Sequence, residues 1–329
     1  MNKLLKNGFG TLVFGFALLG CVSRPEITTI VPTPVKLAAL VTASPLTSPL
    51  PIPDSSALSN LKGVLVFERG DDVSAHIEFF NWQSNETTPL NIAAQEAREP
   101  TWSPDMKRIA FTAKTDADRF EVRAINRDGS DEQTLVNDGS NNWYPSWSPD
   151  GLHLAFASDR SGQIQIYVSD ADGQNPRQLT STGNNWAPAW SPDSSALVFV
   201  SDRDNNRELY TIHLDGTGEH RLTNTPTDED RPAWSPDGKK IAFMRFVEQT
   251  FLFDSSEIFI MDSDGTGDQR LTDNQSGDVA PRWSPDGKWL IFSSNRSGAW
   301  QFYLLRLADG NTIPLPWSIL GRSASWQAK

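Results

Sequence analysis

Two copies of the triplet Asn-Asn-Trp are the residues of this sequence best suited to ligand binding. They stand at Asn141-Asn142-Trp143 and Asn184-Asn185-Trp186, in polar stretches that each end in proline and that we predict to be loops. An indole beside amide side chains can stack on a sugar ring or anchor a peptide. The alternative is that each tryptophan packs against a neighbouring structural repeat. The sequence leaves both interpretations open for the second asparagine and the tryptophan of each triplet.

Charged residues occupy four comparable polar stretches of the chain. The acidic ones are Glu96, Glu99, Asp228, Glu229, Asp230 and Asp278, and the basic ones are Arg98, Arg231, Arg282 and Arg322. If these stretches share one face of the fold, their charges predict a mouth that selects a basic or polar segment of a partner. The alternative is that these charges are simply solvated by water.

An apolar insertion is the third candidate for a binding element. It lies within Phe246–Asp254, where the other repeats turn in a few polar residues. An extended hairpin here would expose Phe251, Leu252 and Phe253 at its tip. Exposed apolar patches usually mark interaction sites. The tip could equally fold back over the rest of the domain.

Metal binding and catalysis have weaker support in the sequence. The segment Asp262–Asp268 resembles part of a calcium loop but lacks the glutamate that completes an EF-hand, and a hairpin turn is favoured there. The histidines are His76, His153, His213 and His220, and we place none of them in the polar stretches described above. The chain has no Gly-x-Ser-x-Gly motif, and no acid–base pair is evident from spacing. We therefore expect no metal, no cofactor and no catalytic residue.

A repeated tetrapeptide identifies the elements that must position these residues. Trp-Ser-Pro-Asp recurs at intervals of 43 to 49 residues, and a final tryptophan continues the series near the C-terminus. These tryptophans are Trp102, Trp147, Trp190, Trp234, Trp283 and Trp326. A period in the forties, filled with short alternating strands, is typical of a β-propeller. We assign the six tryptophans a structural role.

The turn residues and the chain ends complete the fold prediction. Asp-Gly pairs follow the second strand in five repeats, and such pairs favour tight hairpins. Gly63–Phe67 and Ala75–Asn81 match the first two strands of a repeat but follow no tryptophan, whereas Trp326 has no strands after it. The sequence therefore predicts an all-β, six-bladed propeller of four-stranded antiparallel blades. We expect its N-terminal and C-terminal strands to pair and close the ring.

The N-terminal part of the chain predicts secretion and anchoring. Residues 1–20 combine Lys3 and Lys6 with the apolar run Phe9–Leu19, the pattern of a signal peptide. The following Cys21 completes a Leu-Leu-Gly-Cys sequence that resembles the lipobox of bacterial lipoproteins, which implies lipidation of that cysteine. An ordinary signal peptide or a single membrane anchor are the alternatives. Residues 21–60 form a linker rich in proline, serine and threonine, and residues 61–329 form the propeller.

The repeat resembles that of TolB-type propellers. The motifs that carry the resemblance are clearest in Trp147–Asp150, Leu154-Ala155-Phe156, Ser158-Asp159-Arg160, Ile166-Tyr167, Asp172-Gly173 and Leu179-Thr180. In that family the propeller works in the cell envelope and is the docking surface for a lipoprotein, Pal. The resemblance covers about 61–329 and implies a protein partner, such as a Pal-like lipoprotein. The chain departs from the family in its lipid anchor and in lacking room for the N-terminal α/β domain.

Charge and motifs together limit the function. The formal charge of −12 disfavours a nucleic-acid partner. The main hypothesis is a non-catalytic lipoprotein in the periplasm or extracellular space, held to a membrane by its lipid anchor, whose propeller binds an envelope or extracellular protein. The alternative is a glycan-binding or small-ligand-binding module that uses the Asn-Asn-Trp stretches. A hydrolase or lyase is the least favoured class.

Overall fold

A computed structural model describes residues 61–70, 75–84, 86–115, 117–247, 255–315 and 323–327. These residues form six four-stranded antiparallel sheets, which are the six blades of a β-propeller. None of them forms a helix long and apolar enough to span a membrane. The predicted signal peptide, Cys21 and the linker lie outside the described residues.

In blades 2 to 6 the chain begins with an innermost strand that ends at a repeat tryptophan and continues outward through the next three strands. The first eleven strands are β1 (Val64–Arg69), β2 (His76–Asn81), β3 (Glu86–Pro89), β4 (Ala97–Trp102), β5 (Arg108–Lys114), β6 (Phe120–Asn126), β7 (Gln133–Val136), β8 (Asn142–Trp147), β9 (His153–Ser158), β10 (Gln165–Asp170) and β11 (Arg177–Gln178). The others are β12 (Asn185–Trp190), β13 (Ala196–Ser201), β14 (Glu208–His213), β15 (His220–Arg221), β16 (Glu229–Trp234), β17 (Lys240–Phe246), β18 (Ser256–Asp262), β19 (Gln269–Arg270), β20 (Asp278–Trp283), β21 (Trp289–Ser294), β22 (Gln301–Arg306), β23 (Thr312–Pro314) and β24 (Ala324–Gln327).

The ring closes as the sequence predicts. The C-terminal strand β24 pairs with β1, so that blade 1 has the order β24-β1-β2-β3, while β4–β7 form blade 2 and each later blade follows in chain order. The indole N–H of Trp326 donates a hydrogen bond to the carbonyl of Lys62 at 3.0 Å. Closure leaves the propeller without a break between its first and last blades, and the six-bladed prediction is confirmed.

The Trp-Ser-Pro-Asp motif forms the turn after five of the six innermost strands. In blade 3 the hydroxyl of Ser148 donates to Oδ1 of Asp150, and the N–H of Leu152 donates to the same oxygen at 2.9 Å. Gly151 takes up a left-handed conformation with φ of 75°. The same Ser–Asp hydrogen bond recurs in the other four copies. The motif is therefore a structural turn whose polar groups satisfy each other.

The core lies between the blades, where apolar side chains of neighbouring sheets meet. The repeat tryptophans contribute to these contacts, and two of them also link adjacent blades by hydrogen bonds. The indole of Trp190 donates to the carbonyl of Ser146 at 2.9 Å, and that of Trp283 donates to the carbonyl of Ala233 at 3.0 Å. The structural role predicted for the tryptophans agrees with this packing.

Candidate functional site: the mouth of the central channel

The six innermost strands surround a central channel. Each of β4, β8, β12, β16, β20 and β24 contacts the innermost strands of both neighbouring blades. Most residues that the sequence assigns to polar loops belong to the beginnings of these strands. Asn142 pairs with Ser158, and Trp143 pairs with Ala157. The structure corrects the loop prediction for these stretches, because the chain there forms strand. The stretches lie at one end of the channel, and we call this end the channel mouth.

A β-bulge interrupts five of the innermost strands near this mouth. In β8 the pairing register shifts between Trp143 and Ser146, and Tyr144 has a φ of 53°. Glu99, Ala187, Arg231 and Ala280 occupy the same position and also have positive φ. A proline follows each of these residues, and it is tolerated because it stands at a bulge on an inner edge strand.

The bulges bring residues of distant blades together inside the channel. Nη1 of Arg231 in blade 5 lies 3.6 Å from Oε1 of Glu99 in blade 2. The guanidinium of Arg231 also stacks over the ring of Tyr144 in blade 3, 4.8 Å from its centroid. Oε2 of Glu99 accepts hydrogen bonds from the hydroxyl of Thr112 at 2.8 Å and from the N–H of Tyr144 at 3.0 Å. One carboxylate thus connects three blades.

A second charged group adjoins the first. Nη1 of Arg207 lies 3.2 Å from Oδ2 of Asp230, and its backbone N–H donates to Oδ1 of Asp228 at 2.9 Å. The guanidinium of Arg207 stacks over Trp186 at 5.2 Å. The structure therefore brings together four predicted site residues, Trp186, Asp228, Asp230 and Arg231.

Sequence reasoning missed Tyr144, Arg207, Thr112 and Glu68 as members of this group. The signal for Tyr144 was present, since a proline inside a strand indicates a bulge. Arg207 lies in the turn between β13 and β14, and no repeat motif places that turn beside β16. Glu68 is buried near the end of β1, and burial raises its pKa, while Arg98 acts to lower it.

Among the described residues, Arg282 is the arginine of the channel mouth that has no carboxylate within ion-pair distance. It lies on β20, directly before Trp283, and is partly buried. Its Nη1 donates to the carbonyl of Pro281 at 2.8 Å. Burial and repulsion from Arg231 lower the pKa of Arg282 to about 10, because both disfavour its charged form.

The two predicted asparagines are integrated into the blades. Asn142 and Asn185 are fully buried, and each accepts a hydrogen bond at 3.0 Å, from Arg160 and Arg203 respectively. Arg160 in turn stacks on Tyr167, 4.5 Å from the ring centroid. Asp278 is also fully buried and lies 2.6 Å from Arg296. These three side chains hold arginines in place inside the blades and do not line the open channel mouth.

The two predicted tryptophans have different surroundings. Trp186 is partly buried and packs against the apolar clusters on both sides of blade 4, which agrees with the packing alternative. Trp143 is partly buried, with its ring 6.0 Å from that of Phe120 at a tilt of 40°. Arg322, Phe251 and Phe253 lie outside the described residues.

Two successive blade interfaces carry different side-chain pairs at the same position. One pair is neutral and the other is acidic. Between blades 3 and 4, Asn185 donates to Gln165 at 2.8 Å. Between blades 4 and 5, two buried glutamates, Glu208 and Glu229, replace these amides. Burial and the hydrogen bond to Glu208 raise the pKa of Glu229 to about 8. The second carboxyl group therefore favours the protonated form of Glu229 in this interface.

The described residues contain no group of three or more His, Cys, Asp or Glu side chains placed to hold a metal ion. The acidic side chains of the channel mouth are instead paired with arginines or hydrogen-bonded within their own interfaces. The arrangement is thus suited to recognition by ion pairing and aromatic contact.

The repeat and the channel can now be compared with known proteins. The family model of the TolB beta propeller domain matches residues 40–186, 180–248 and 247–328. The chain belongs to this family. The match covers the propeller and confirms the relationship that the repeat motifs indicate.

Curated relatives match shorter parts of the chain. The Tol-Pal system protein TolB of Alcanivorax borkumensis is 28% identical over 94 residues, which are 29% of this chain and 22% of that protein. The uncharacterized protein Atu1656 of Agrobacterium fabrum is 32% identical over 81 residues, 25% of this chain and 27% of that one. The aligned stretches thus span about a quarter of each relative's length.

Solved structures share the fold at low sequence identity. TolB from Acinetobacter baumannii superposes with a TM-score of 0.69 at 20% identity, over 81% of this chain and 67% of that one. A putative TolB from Agrobacterium tumefaciens gives 0.65 at 21% identity, over 81% and 98% of the two chains. A chain of the nidogen/laminin complex gives 0.64 at 14% identity, over 80% and 97%. At these identities the likeness concerns the fold.

Proposed function

We propose that this TolB-family propeller is a non-catalytic binding module that docks a protein partner over the channel mouth. The curated relative from Alcanivorax borkumensis is named as part of the Tol-Pal system, which supports a protein partner in the cell envelope. A Pal-like lipoprotein is the partner that this relationship suggests. On this proposal the propeller works in the periplasm or outside the cell, and the lipidated Cys21 holds it to a membrane.

The observation that carries the proposal is the gathering of Arg, Tyr, Trp and acidic side chains from several blades at one end of the channel. Arg231, Glu99 and Tyr144 meet there from three blades, and Trp186 and Arg207 stack beside them. Tyrosine, tryptophan and arginine are the residues most enriched at binding hot spots. Because the bulges fix their backbones, these side chains are held in place before a partner arrives.

Affinity capture with the full chain tests this proposal. The chain would be crosslinked in the envelope of cells that produce it, purified, and its bound proteins compared with those of variants. We expect the double variant Trp143→Ala, Trp186→Ala to lose a protein that the parent enriches. Leu152→Ala is the matched control, because Leu152 is 64% exposed on the turn at the opposite end of the innermost strand. Equal capture by the parent and by the double variant would contradict docking at the mouth.

A glycan or small ligand is the second candidate, and the position of Trp143 favours it. Its partly buried ring lies beside Phe120 at the edge of the mouth, as a sugar-stacking platform requires. Titration with maltotriose and with triacetylchitotriose would test it through tryptophan fluorescence. A saturable change that Trp143→Ala abolishes would favour this candidate, and the absence of any change would count against it.

A further inference from the structure

The channel mouth is not the acidic surface that its sequence suggests, because its acids are already compensated. In the described structure, the acids that the sequence assigns to this mouth have these nearest basic partners: Arg98 for Glu96, Arg231 for Glu99, Arg207 for Asp228 and Asp230, Arg245 for Glu229, and Arg296 for Asp278. A basic partner segment would have to displace one of these arginines. The acidic side chains therefore give little reason to expect a basic ligand.

The uncompensated charge of the mouth is positive. In the described part of the chain no carboxylate lies within ion-pair distance of Arg282, and the hydrogen bond that its guanidinium makes goes to the carbonyl of the adjacent Pro281. Arg231 opposes the charge of Arg282, whereas Glu99 and Asp230 favour it without forming an ion pair with it.

The same channel also holds a tyrosine hydroxyl, beside Arg231. The phenol of Tyr144 makes no hydrogen bond in the part of the chain that the structure describes, and its ring lies under the guanidinium of Arg231. Its hydroxyl is therefore available as a donor. Burial and the nearby acids Glu99 and Asp230 raise the pKa of Tyr144, so this donor keeps its proton at neutral pH.

We propose that the channel mouth recognises a carboxylate of a protein segment, which enters the channel and pairs with Arg282, and that the hydroxyl of Tyr144 is a further hydrogen-bond donor for this segment in the same channel. The proposal rests on the protein-binding function above and specifies the chemistry of the partner. A guanidinium presents a planar pair of donors that matches a carboxylate. In a channel with reduced access to water, such a pair is stronger than on an exposed surface. The bulk charge of −12 does not oppose it, because the local field at Arg282 is set by nearby groups.

Calorimetric titration of the purified full chain with short peptides tests the proposal. The probes are N-acetyl-triglutamate amide, the isosteric N-acetyl-triglutamine amide, and N-acetyl-trialanine with a free or an amidated C-terminus. We expect the triglutamate to bind at least about tenfold tighter than the triglutamine. The trialanine pair shows whether a terminal carboxylate can replace an acidic side chain. No preference for a carboxylate in either comparison would overturn the proposal.

Variants test whether the preference for a carboxylate arises at the channel mouth. Arg282→Gln should reduce binding of triglutamate by roughly 10- to 100-fold. Arg177→Gln is the matched control, because Arg177 is exposed on the outermost strand of blade 3 and should leave binding unchanged. Glu99→Gln should strengthen binding, since it removes the acid that competes for Arg231. If Arg282→Gln does not fold, the Glu99→Gln variant decides: unchanged or weaker binding would overturn the proposal.

The envelope capture experiment separates this inference from the proposed function. If Arg282→Gln captures the same protein as the parent, the partner docks without a carboxylate in the channel, and the anion-recognition proposal is wrong while the binding function stands. If Arg282→Gln and the double tryptophan variant both lose the partner, both proposals are supported. Loss in the tryptophan variant alone would place docking at the rim of the channel mouth.

Discussion

Arg231 and Glu99 lie 3.6 Å apart, Nη1 to Oε1, although they belong to blades 5 and 2. Each stands at the bulge of its innermost strand, with φ near 55° in both. Their contact spans the channel, so the two blades are connected through its centre as well as through the ring. The side chains are 19% and 12% exposed, which limits the screening of their attraction by water.

This pair should show measurable energetic coupling. We predict that a double-mutant cycle of Glu99→Gln and Arg231→Gln gives a coupling energy of about 1–2 kcal/mol, because removing one partner leaves the other charge uncompensated. Urea unfolding of the four proteins measures it. The surface pair Arg306–Asp309, whose atoms are 2.6 Å apart but far more exposed, is the control and should show no coupling above error. Equal coupling in the two pairs would mean that burial in the channel is unimportant.

The buried glutamates between blades 4 and 5 predict a pH-dependent stability. The pKa of Glu229 rises from its ordinary 4.5 to about 8, so the folded chain holds this proton more tightly than the unfolded chain. Its stabilising contribution is complete below about pH 4.5 and is lost as the pH rises through about 8. The melting temperature of the parent should therefore fall between pH 6 and pH 9.

The variant Glu229→Gln isolates this effect. Its amide can donate to Glu208 as Asn185 donates to Gln165 one interface earlier. We expect the variant to melt a few degrees higher than the parent at pH 9 and to lose most of the slope between pH 6 and pH 9. Asn185→Gln, at the neutral interface, should keep the parental slope. An unchanged slope in Glu229→Gln would show that its carboxyl is ionised throughout this range.

Two glycines with the same backbone conformation allow backbone strain to be distinguished from a steric clash with the neighbouring blade. Gly173 and Gly162 have φ of 86° and 90°. A Cβ at Gly173 would approach the carbonyl oxygen of Leu135 in the preceding blade to 2.2 Å, whereas a Cβ at Gly162 meets nothing within 4 Å. Gly162→Ala should cost about 1 kcal/mol through backbone strain alone. Gly173→Ala should cost a further 1–3 kcal/mol or so because the blades must separate. Chemical denaturation measures both, and similar losses would exclude the steric explanation.

The fold was readable from the sequence because its signals are local and repeated. Trp-Ser-Pro-Asp and Asp-Gly each specify a turn through side-chain hydrogen bonds and a left-handed residue, as Asp150 and Gly151 show. Five such units with an incomplete one at each end leave a closed ring of six blades as the simplest arrangement. The pairing of β24 with β1 follows from the same count.

The site was only partly readable because its contacts join blades that are distant in sequence. The sequence predicts a loop at Asn142 and Trp143 because asparagine and proline favour loops, yet a bulge accommodates Pro145 within a strand. The bulge also decides which neighbour faces the channel: Tyr144 does, while Asn142 is buried against Arg160. No spacing rule reveals that Arg231 pairs with Glu99, because the pairing depends on the diameter of the ring.

The repeat tryptophans offer a final prediction, because some of their indole N–H groups donate a hydrogen bond within the described structure and others do not. The indole of Trp326 donates to the carbonyl of Lys62 and its ring stacks on Trp82 at 5.0 Å, whereas the buried indole N–H of Trp102 has no acceptor among the described residues. Trp326→Phe should therefore cost more than Trp102→Phe, by about 1–2 kcal/mol, because it leaves a carbonyl unpaired at the ring closure. Thermal and urea unfolding of both variants measure the difference. If the order is reversed, the hydrogen bond at the closure contributes less than the packing of the individual indole rings.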